Sequence, residues 1–290
     1  MASGDTENST RDSEDFGGGR YGKDLFEPEH LQETERIDTA AQVYDPVTTS
    51  RLRALGVGPG MRCLEVGAGT GTVARWLLEE ARVDEVVALD RDTSALTALA
   101  GPRLRLLTAD VTDESLQPGG FDLIHARFVL MHLPGRRRLL TRLAHWLNPG
   151  GRLVLGDAVE LPDAQDSSSA YRRTMDAMWE ALKATIGTDI SSVPAYPHFL
   201  REEGLRNVAA ELVCPPMVAG DPLTRFWSET WDRMRPALLG TGRVDAAVLD
   251  EASAYLASPR LAELAPGMMM AWGQRHRGGS GPSAGIVRSG

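Results

Sequence analysis

Apolar residues gather in short unbroken runs through the middle of the chain, and stretches with helical spacing separate the runs. The runs are RCLEV (62–66), EVVALD (85–90), RLRLLT (103–108), FDLIHA (121–126) and RLVLGDA (152–158). Strands covered on both faces lose the polar alternation of half-exposed strands, so these read as central strands of a sheet. Helices are expected at 70–81, about 93–100 and 136–147, with the turn NPGG after the last. Strand–helix alternation of this kind predicts a doubly wound, mostly parallel sheet of the α/β class.

The flanks differ. Upstream, Leu31, Ile37, Ala41 and Tyr44 fall near helical spacing, and Pro46 is expected to break that helix. Downstream, a long helix is expected at about 166–187 and a short one at FLREEGL. A sixth strand follows at NVAAELVC (207–214), then two helices within 222–258, and a final strand at GMMMAWGQR (267–275). The expected organisation is a disordered tail (1–20), an N-terminal helical cap (21–55), a cofactor-binding core (56–160), lid helices that also complete a seven-stranded sheet (161–276), and a flexible tail (277–290). The termini earn their assignment by Gly/Ser content and charge.

The formal net charge of −9 argues against nucleic acid as a partner, which calls for a basic surface. No apolar run reaches the roughly 18–20 residues that cross a bilayer, and the start MASGDTENSTRDSEDF does not read as a secretory signal. A cytoplasmic protein away from the membrane is expected, with Cys63 and Cys214 as small core residues. Arginine in place of lysine and abundant alanine suggest a GC-rich, bacterial genome. No His/Cys cluster has zinc-ligand spacing, so no metal is expected, and neither a nucleophile elbow nor a P-loop is present.

The chemistry concentrates in CLEVGAGTG. Glycines let the backbone turn sharply and approach a ligand. A dinucleotide fingerprint would need its third glycine where Thr72 stands; the glycine falls at Gly71 instead. Glu65, two residues before Gly67, would also lie near a phosphate, whereas it suits a ligand of cationic character. A hydride-transfer enzyme of the short-chain type would need a Tyr-x-x-x-Lys pair. The two lysines, Lys23 and Lys183, instead follow Gly19 and Trp179 at that spacing.

The stretch from about Gly56 to Ala158 resembles the class I S-adenosylmethionine-dependent methyltransferases. CLEVGAGTG matches their first motif, VVALD their second, LLTADV their third, FDLIHARFVLMHLP and LNPGGRLVL the approach to strands four and five. The resemblance implies that S-adenosyl-L-methionine is the cofactor and S-adenosyl-L-homocysteine the product. It implies that Glu65, Gly67, Ala68, Gly69 and Gly71 line the methionine and ribose side. Asp90, next to Arg91, would take the ribose hydroxyls, and Asp110 with Val111 the adenine. Backbone carbonyls near His125 and Ala126 would receive the methionine amino group. Tyr21, or Phe26, is a candidate for a contact with the sulfonium if the N-terminal segment closes over it.

A sulfonium methyl is already activated, so the protein must mainly hold the acceptor in line and exclude water. An acceptor that needs deprotonation would use a base, and His125 and His132 are the candidates at the rim of the fourth strand. Met175 and Trp179 on one helix, and Phe226, Trp227 and Trp231 on another, form apolar stripes expected to wall the acceptor. Arg127 could pair with an acidic substrate or with Asp157. The expected function is O-methylation of a hydrophobic small molecule of natural-product type. N- or C-methylation of a small molecule or peptide, and a non-catalytic scaffold or regulator, stay open. So does assembly into a homo-oligomer, since helical N-terminal extensions often swap between protomers.

Overall fold

Five apolar runs become five parallel strands: β1 (Arg62–Val66), β2 (Glu85–Asp90), β3 (Leu104–Thr108), β4 (Phe121–Arg127) and β5 (Leu147–Val159). The computed structural model describes residues 31–161 and 168–277. Helix α1 (Leu31–Ala54) precedes β1, α2 (Thr72–Glu79) joins β1 to β2, and α3 (Arg136–His145) joins β4 to β5. The chain goes on through α4 (Ala170–Ile186), α5 (Tyr196–Glu202), β6 (Arg206–Val213), β7 (Pro216–Met217), α6 (Pro222–Gly240), α7 (Ala246–Leu256), β8 (Glu263–Leu264) and β9 (Gly267–Gln274). The main sheet runs β3-β2-β1-β4-β5-β9-β6, and β9 lies antiparallel to both of its neighbours. That is the seven-stranded, mostly parallel sheet expected from the sequence. Its order reverses between β1 and β4, the crevice where open α/β sheets take their ligands.

Two local expectations need correction. The stretch near 93–100 is a 3₁₀ helix over Ser94–Leu99, one turn that anchors its buried Leu96. Pro46 does not break α1, which runs through it. A mid-helix proline removes one hydrogen bond and costs roughly 3 kcal/mol in an isolated helix. Burial of Ala40 and Tyr44 against the lid and of Leu52 against the sheet offsets that cost. Cys63 is buried in β1, while Cys214, just past β6, is only half-buried. The expected tails at 1–20 and 277–290, apart from Arg277, lie outside the described residues, as do Tyr21 and Phe26.

The core has two storeys. Apolar side chains from both sheet faces pack under α2, α3 and α5. A second cluster gathers α1, α4, α6 and α7 around Tyr171, Met178, Trp231 and Met234, and reaches the sheet through Met268 and Met270 of β9. The lid therefore has an apolar core of its own, seated over the carboxyl ends of the strands.

Candidate active site

A cavity of about 550 Å³ lies between the strand ends and the lid. Its floor is set by chain order: Glu65 near the end of β1, Asp90 at the end of β2 and Asp110 just after β3 put three carboxylates side by side. Asp90 Oδ2 accepts from the Gly69 N–H at 2.8 Å and its Oδ1 from the Asp92 N–H at 3.2 Å. Asp110 accepts from Thr112 N–H and Oγ1 at 2.8 and 2.6 Å, both on Oδ1. Gly67, Ala68, Gly69, Arg91 and Val111 share the same wall.

The glycine loop shows why it is not a phosphate cradle. Gly67 and Ala68 both donate to Leu89 O, Gly69 to Asp90, and Gly71 to Ala68 O. With those N–H groups engaged and an acidic row opposite, a diphosphate would meet repulsion where it needs donors. Hydroxyls, an amino group and a sulfonium meet acceptors instead, so the residues fit the sulfonium cofactor. Gly67 has φ +66°, and a Cβ there would come 2.3 Å from Val129 Cγ2. Gly71 departs from expectation. It does not line the cavity; with φ +81° it leaves room for Leu96, which a Cβ would approach to 2.3 Å.

His125 also departs from its candidate role. The strand continues to Arg127, so His125 lies inside the sheet, paired in register with Glu65. Register partners on parallel strands share a face, and His125 Nδ1 sits 3.0 and 2.9 Å from the two Glu65 oxygens. It is fully buried and absent from the cavity wall, which removes it as a base acting on an acceptor. What it does is fix the Glu65 carboxylate. Ala126 is likewise buried in the sheet and off the wall.

His132 does face the cavity. Its Nδ1 lies 2.8 Å from Thr188 Oγ1, and burial, reinforced by Arg36, Arg136 and Arg91, pushes its pKa down to about 3. The imidazole is neutral at physiological pH but a weak proton acceptor. Arg127 is on the wall too, yet its partners are Asp45 at 2.6 Å and Thr48 at 3.0 Å of α1, not Asp157. Asp157 lies beneath, bonded to Tyr196 OH at 2.6 Å and Met131 N–H at 3.1 Å, and burial raises its pKa to about 7.

Of the lid stripes, Trp179, Phe226 and Trp227 reach the cavity, while Met175 and Trp231 do not. Those two point into the lid core, because a helix packed on several neighbours buries a wide stripe and only its edge meets the crevice. Trp179 donates to Glu160 Oε1 at 2.6 Å and meets Trp227 edge-on at 6.2 Å. Several wall residues carried no sequence signal of a place in the site. Arg36, Ile37, Ala40 and Tyr44 arrive on α1, and Tyr44 packs edge-on against Phe128 at 5.2 Å. Phe128, with φ +56°, is a bulky residue in the left-handed region that turns the chain out of β4 at the cavity. Asp45 also accepts from Thr72 Oγ1 at 3.2 Å, so one carboxylate joins α1 to both α2 and β4.

Among the described residues no group of His, Cys, Asp or Glu is arranged to hold a metal ion, and no helix is long and apolar enough to cross a membrane.

Known proteins align with this arrangement. Residues 64–153 match the family model described as a methyltransferase domain. Methyltransferase str2 of Strobilurus tenacellus is 26% identical over 216 residues, covering 72% of this chain and 76% of its own. Phosphoethanolamine N-methyltransferase 3 of Arabidopsis thaliana is 28% identical over 54% of this chain, which spans only 31% of that protein. The 27-O-demethylrifamycin SV methyltransferase of Amycolatopsis mediterranei (strain S699) is 27% identical over 60% of this chain and 65% of its own. Among solved structures, the YcgJ protein of Bacillus superposes with a TM-score of 0.54 at 15% identity, over 79% of this chain and 98% of its own. The mycolic acid cyclopropane synthase CmaA1, complexed with SAH and CTAB, superposes with a TM-score of 0.50 at 16% identity, over 79% and 84%. The structural likenesses establish the fold; both kinds of methyl acceptor, oxygen and nitrogen, occur in the names of the relatives.

Proposed function

We propose that this chain, a class I S-adenosylmethionine-dependent methyltransferase, methylates an oxygen of a hydrophobic small molecule of natural-product type. The observation that carries the acceptor reading is the shape of one cavity: acidic at the strand ends, and closed opposite by Trp179, Leu182, Phe226 and Trp227. Aromatic and aliphatic walls select a large apolar body and exclude water from the reacting groups. The relative named 27-O-demethylrifamycin SV methyltransferase supports an oxygen acceptor.

The cofactor supplies a methyl group on a cationic sulfur, already primed for displacement. On this reading Asp90 would accept the ribose hydroxyls and Asp110 would meet the adenine amino group, as in the family this chain resembles. Glu65, held by His125, sets negative potential beside the glycine loop, where a positively charged ligand gains from it. Arg91 and Val111 complete that end. The lid holds the acceptor over the loop, and alignment of this kind is worth on the order of 7–11 kcal/mol.

The test is a screen of phenolic and polyketide-like acceptors with S-adenosylmethionine, read by mass spectrometry for the added methyl and by fragmentation for its position. Methyl gain on a hydroxyl or carboxyl oxygen is expected. Gain on nitrogen alone, with phosphoethanolamine or another amine as the accepted substrate, overturns the oxygen assignment.

A further inference from the structure

Only 6% of the chain is aromatic, yet Tyr44, Phe128, Trp179, Phe226 and Trp227 all line this one cavity. Three of them form a continuous panel on the lid. Trp179 of α4 meets Trp227 of α6 with ring centres 6.2 Å apart and planes at 72°, and Trp227 meets Phe226 at 5.0 Å and 75°. Contacts of this kind set the electropositive rim of one ring against the electron-rich face of the next. Tyr44 and Phe128 make the same contact with each other, at 5.2 Å and 74°.

The panel is anchored at both ends by charged side chains. Arg36 lays its guanidinium 4.7 Å over the Phe226 ring and donates to Thr230 Oγ1 of the same helix at 3.1 Å. At the other end Trp179 Nε1 donates to Glu160 Oε1 at 2.6 Å. Glu160 stands just past β5 and off the cavity wall, and its second oxygen is ion-paired with Arg172 of α4, which also holds Asp176. A carboxylate fixed by a guanidinium fixes in turn the indole that donates to it. Neither indole N–H is left for a ligand, since that of Trp179 goes to Glu160 and that of Trp227 is buried. The adaptable side chains of the lid, Met175, Met178 and Met234, lie in its core and not on the wall. Methionine reshapes to suit many partners, whereas a clamped indole keeps one shape.

We infer that the acceptor carries a flat aromatic ring system selected by this panel, and that Glu160 is the positioning residue that sets the shape of the panel from outside the cavity. This rests on the methyl-transfer reading above and narrows its class of acceptor. A flat aromatic ligand offers a face and a rim to each ring it meets, and those contacts add to the gain from buried apolar area. A saturated skeleton of the same size has the area without the contacts. Without the Glu160 carboxylate the Trp179 N–H would be a donor lacking its acceptor, and the indole would turn to find another. The panel would then lose its fixed shape.

The experiment uses the full chain saturated with S-adenosylhomocysteine, titrated calorimetrically at neutral pH with 2-naphthol and with decahydro-2-naphthol. The two share one carbon skeleton and one hydroxyl, both uncharged, and only the first is flat and aromatic. Apolar area alone predicts equal binding or tighter binding of the saturated alcohol. Naphthol is expected to bind at least about tenfold more tightly, the scale of one or two aromatic contacts. Glu160→Ala should cut that preference several-fold while affinity for S-adenosylhomocysteine stays unchanged. Glu160→Gln, whose amide oxygen can accept from Trp179 Nε1, should keep most of it, and circular dichroism would show that both variants are folded. Trp179→Leu, which keeps an apolar side chain and removes the ring, should cut the preference as well. Equal affinities, tighter binding of the saturated alcohol, binding of neither probe, or a preference unchanged in Glu160→Ala overturns the proposal. Failure of S-adenosylhomocysteine itself to bind overturns the underlying methyltransferase reading, and is seen separately in the same titrations.

Discussion

Asp90 is oriented before any ligand arrives, since Gly69 and Asp92 donate to its two oxygens from either side. Each carboxylate oxygen can accept again, so the side chain is ready for two hydroxyls without reorganising. Asp90→Ala should therefore raise the dissociation constant of S-adenosylhomocysteine by about 10- to 100-fold, the range for hydrogen bonds to a charged group. Titration calorimetry checks this, and unchanged affinity would remove Asp90 from the ribose. Asp157 gives a second residue-scale prediction, on stability. Burial raises its folded pKa to about 7 from 3.8, so the folded chain keeps a proton that the unfolded chain releases. The contribution is fully present below about pH 4 and is lost as pH rises to about 7, by up to about 1.4 kcal/mol per pH unit. Asp157→Asn cannot ionise, so its stability relative to the parent should climb over that window in urea melts; a difference that is flat with pH counts against the buried acid. His132 works with the opposite sign, its pKa falling to about 3 from 6.5, and it lowers stability as pH drops below 6.5. The strand-end residues of this site were legible because chain order alone places them: an acid closing a buried strand meets the crevice. His125 misled because β4 runs one residue further, to Arg127, leaving the imidazole inside the sheet.

Helix α1 is held over the cavity by apolar packing against α6 and by the carboxylate of Asp45, which accepts from Arg127 and Thr72. Removing that charge leaves a half-buried guanidinium without its counterion, a loss of about 1–3 kcal/mol. Asp45→Asn should then loosen the helix locally. Amide exchange in residues 40–54 is expected to speed up about tenfold or more, a change of at least 1.4 kcal/mol in local opening, with β1 and β4 unaffected. Equal exchange in variant and parent would mean that packing alone secures α1. The sequence revealed the existence of this helix but not its length or its place. Its apolar spacing was readable, whereas passage through Pro46 depends on burial of Ala40, Tyr44 and Leu52 against distant elements. For the same reason Arg36, Tyr44 and Asp45 could not be assigned to the site: each reaches it only because α1 docks on a lid that forms two hundred residues downstream. The strands posed no such difficulty, since burial on both faces writes itself into consecutive apolar residues. The segment at 94–99 was too short for periodicity to separate one 3₁₀ turn from an α-helix.

At the scale of the whole molecule, the sheet and the lid have distinct apolar clusters that meet through β9, and the cavity lies along their junction. A ligand bound as proposed would touch both parts at once, its nucleoside end on β1–β3 and its far end beneath α1, α4 and α6. Because the unfolded chain has no such site, binding adds RT ln(1 + [L]/Kd) to stability, about 2.7 kcal/mol at a hundredfold excess over Kd. For a chain of this size that is roughly 5–11 °C in Tm, at about 2–4 °C per kcal/mol. The shift should reach the lid as well as the sheet. S-adenosylhomocysteine is therefore expected to raise the melting temperature seen by tryptophan fluorescence of a variant in which Trp76, Trp146 and Trp272 of the sheet layer are replaced by Phe, leaving Trp179, Trp227 and Trp231 of the lid as reporters, in parallel with that seen by far-ultraviolet circular dichroism. In Asp90→Ala, both shifts should shrink together at the same ligand concentration. A nicotinamide dinucleotide should give neither, since the loop N–H groups that would hold its phosphates are engaged by Leu89, Asp90 and Ala68. A rise confined to circular dichroism would show a lid that melts independently of the site beneath it, and a rise produced by the dinucleotide instead would place a different ligand over Gly67 and Gly69.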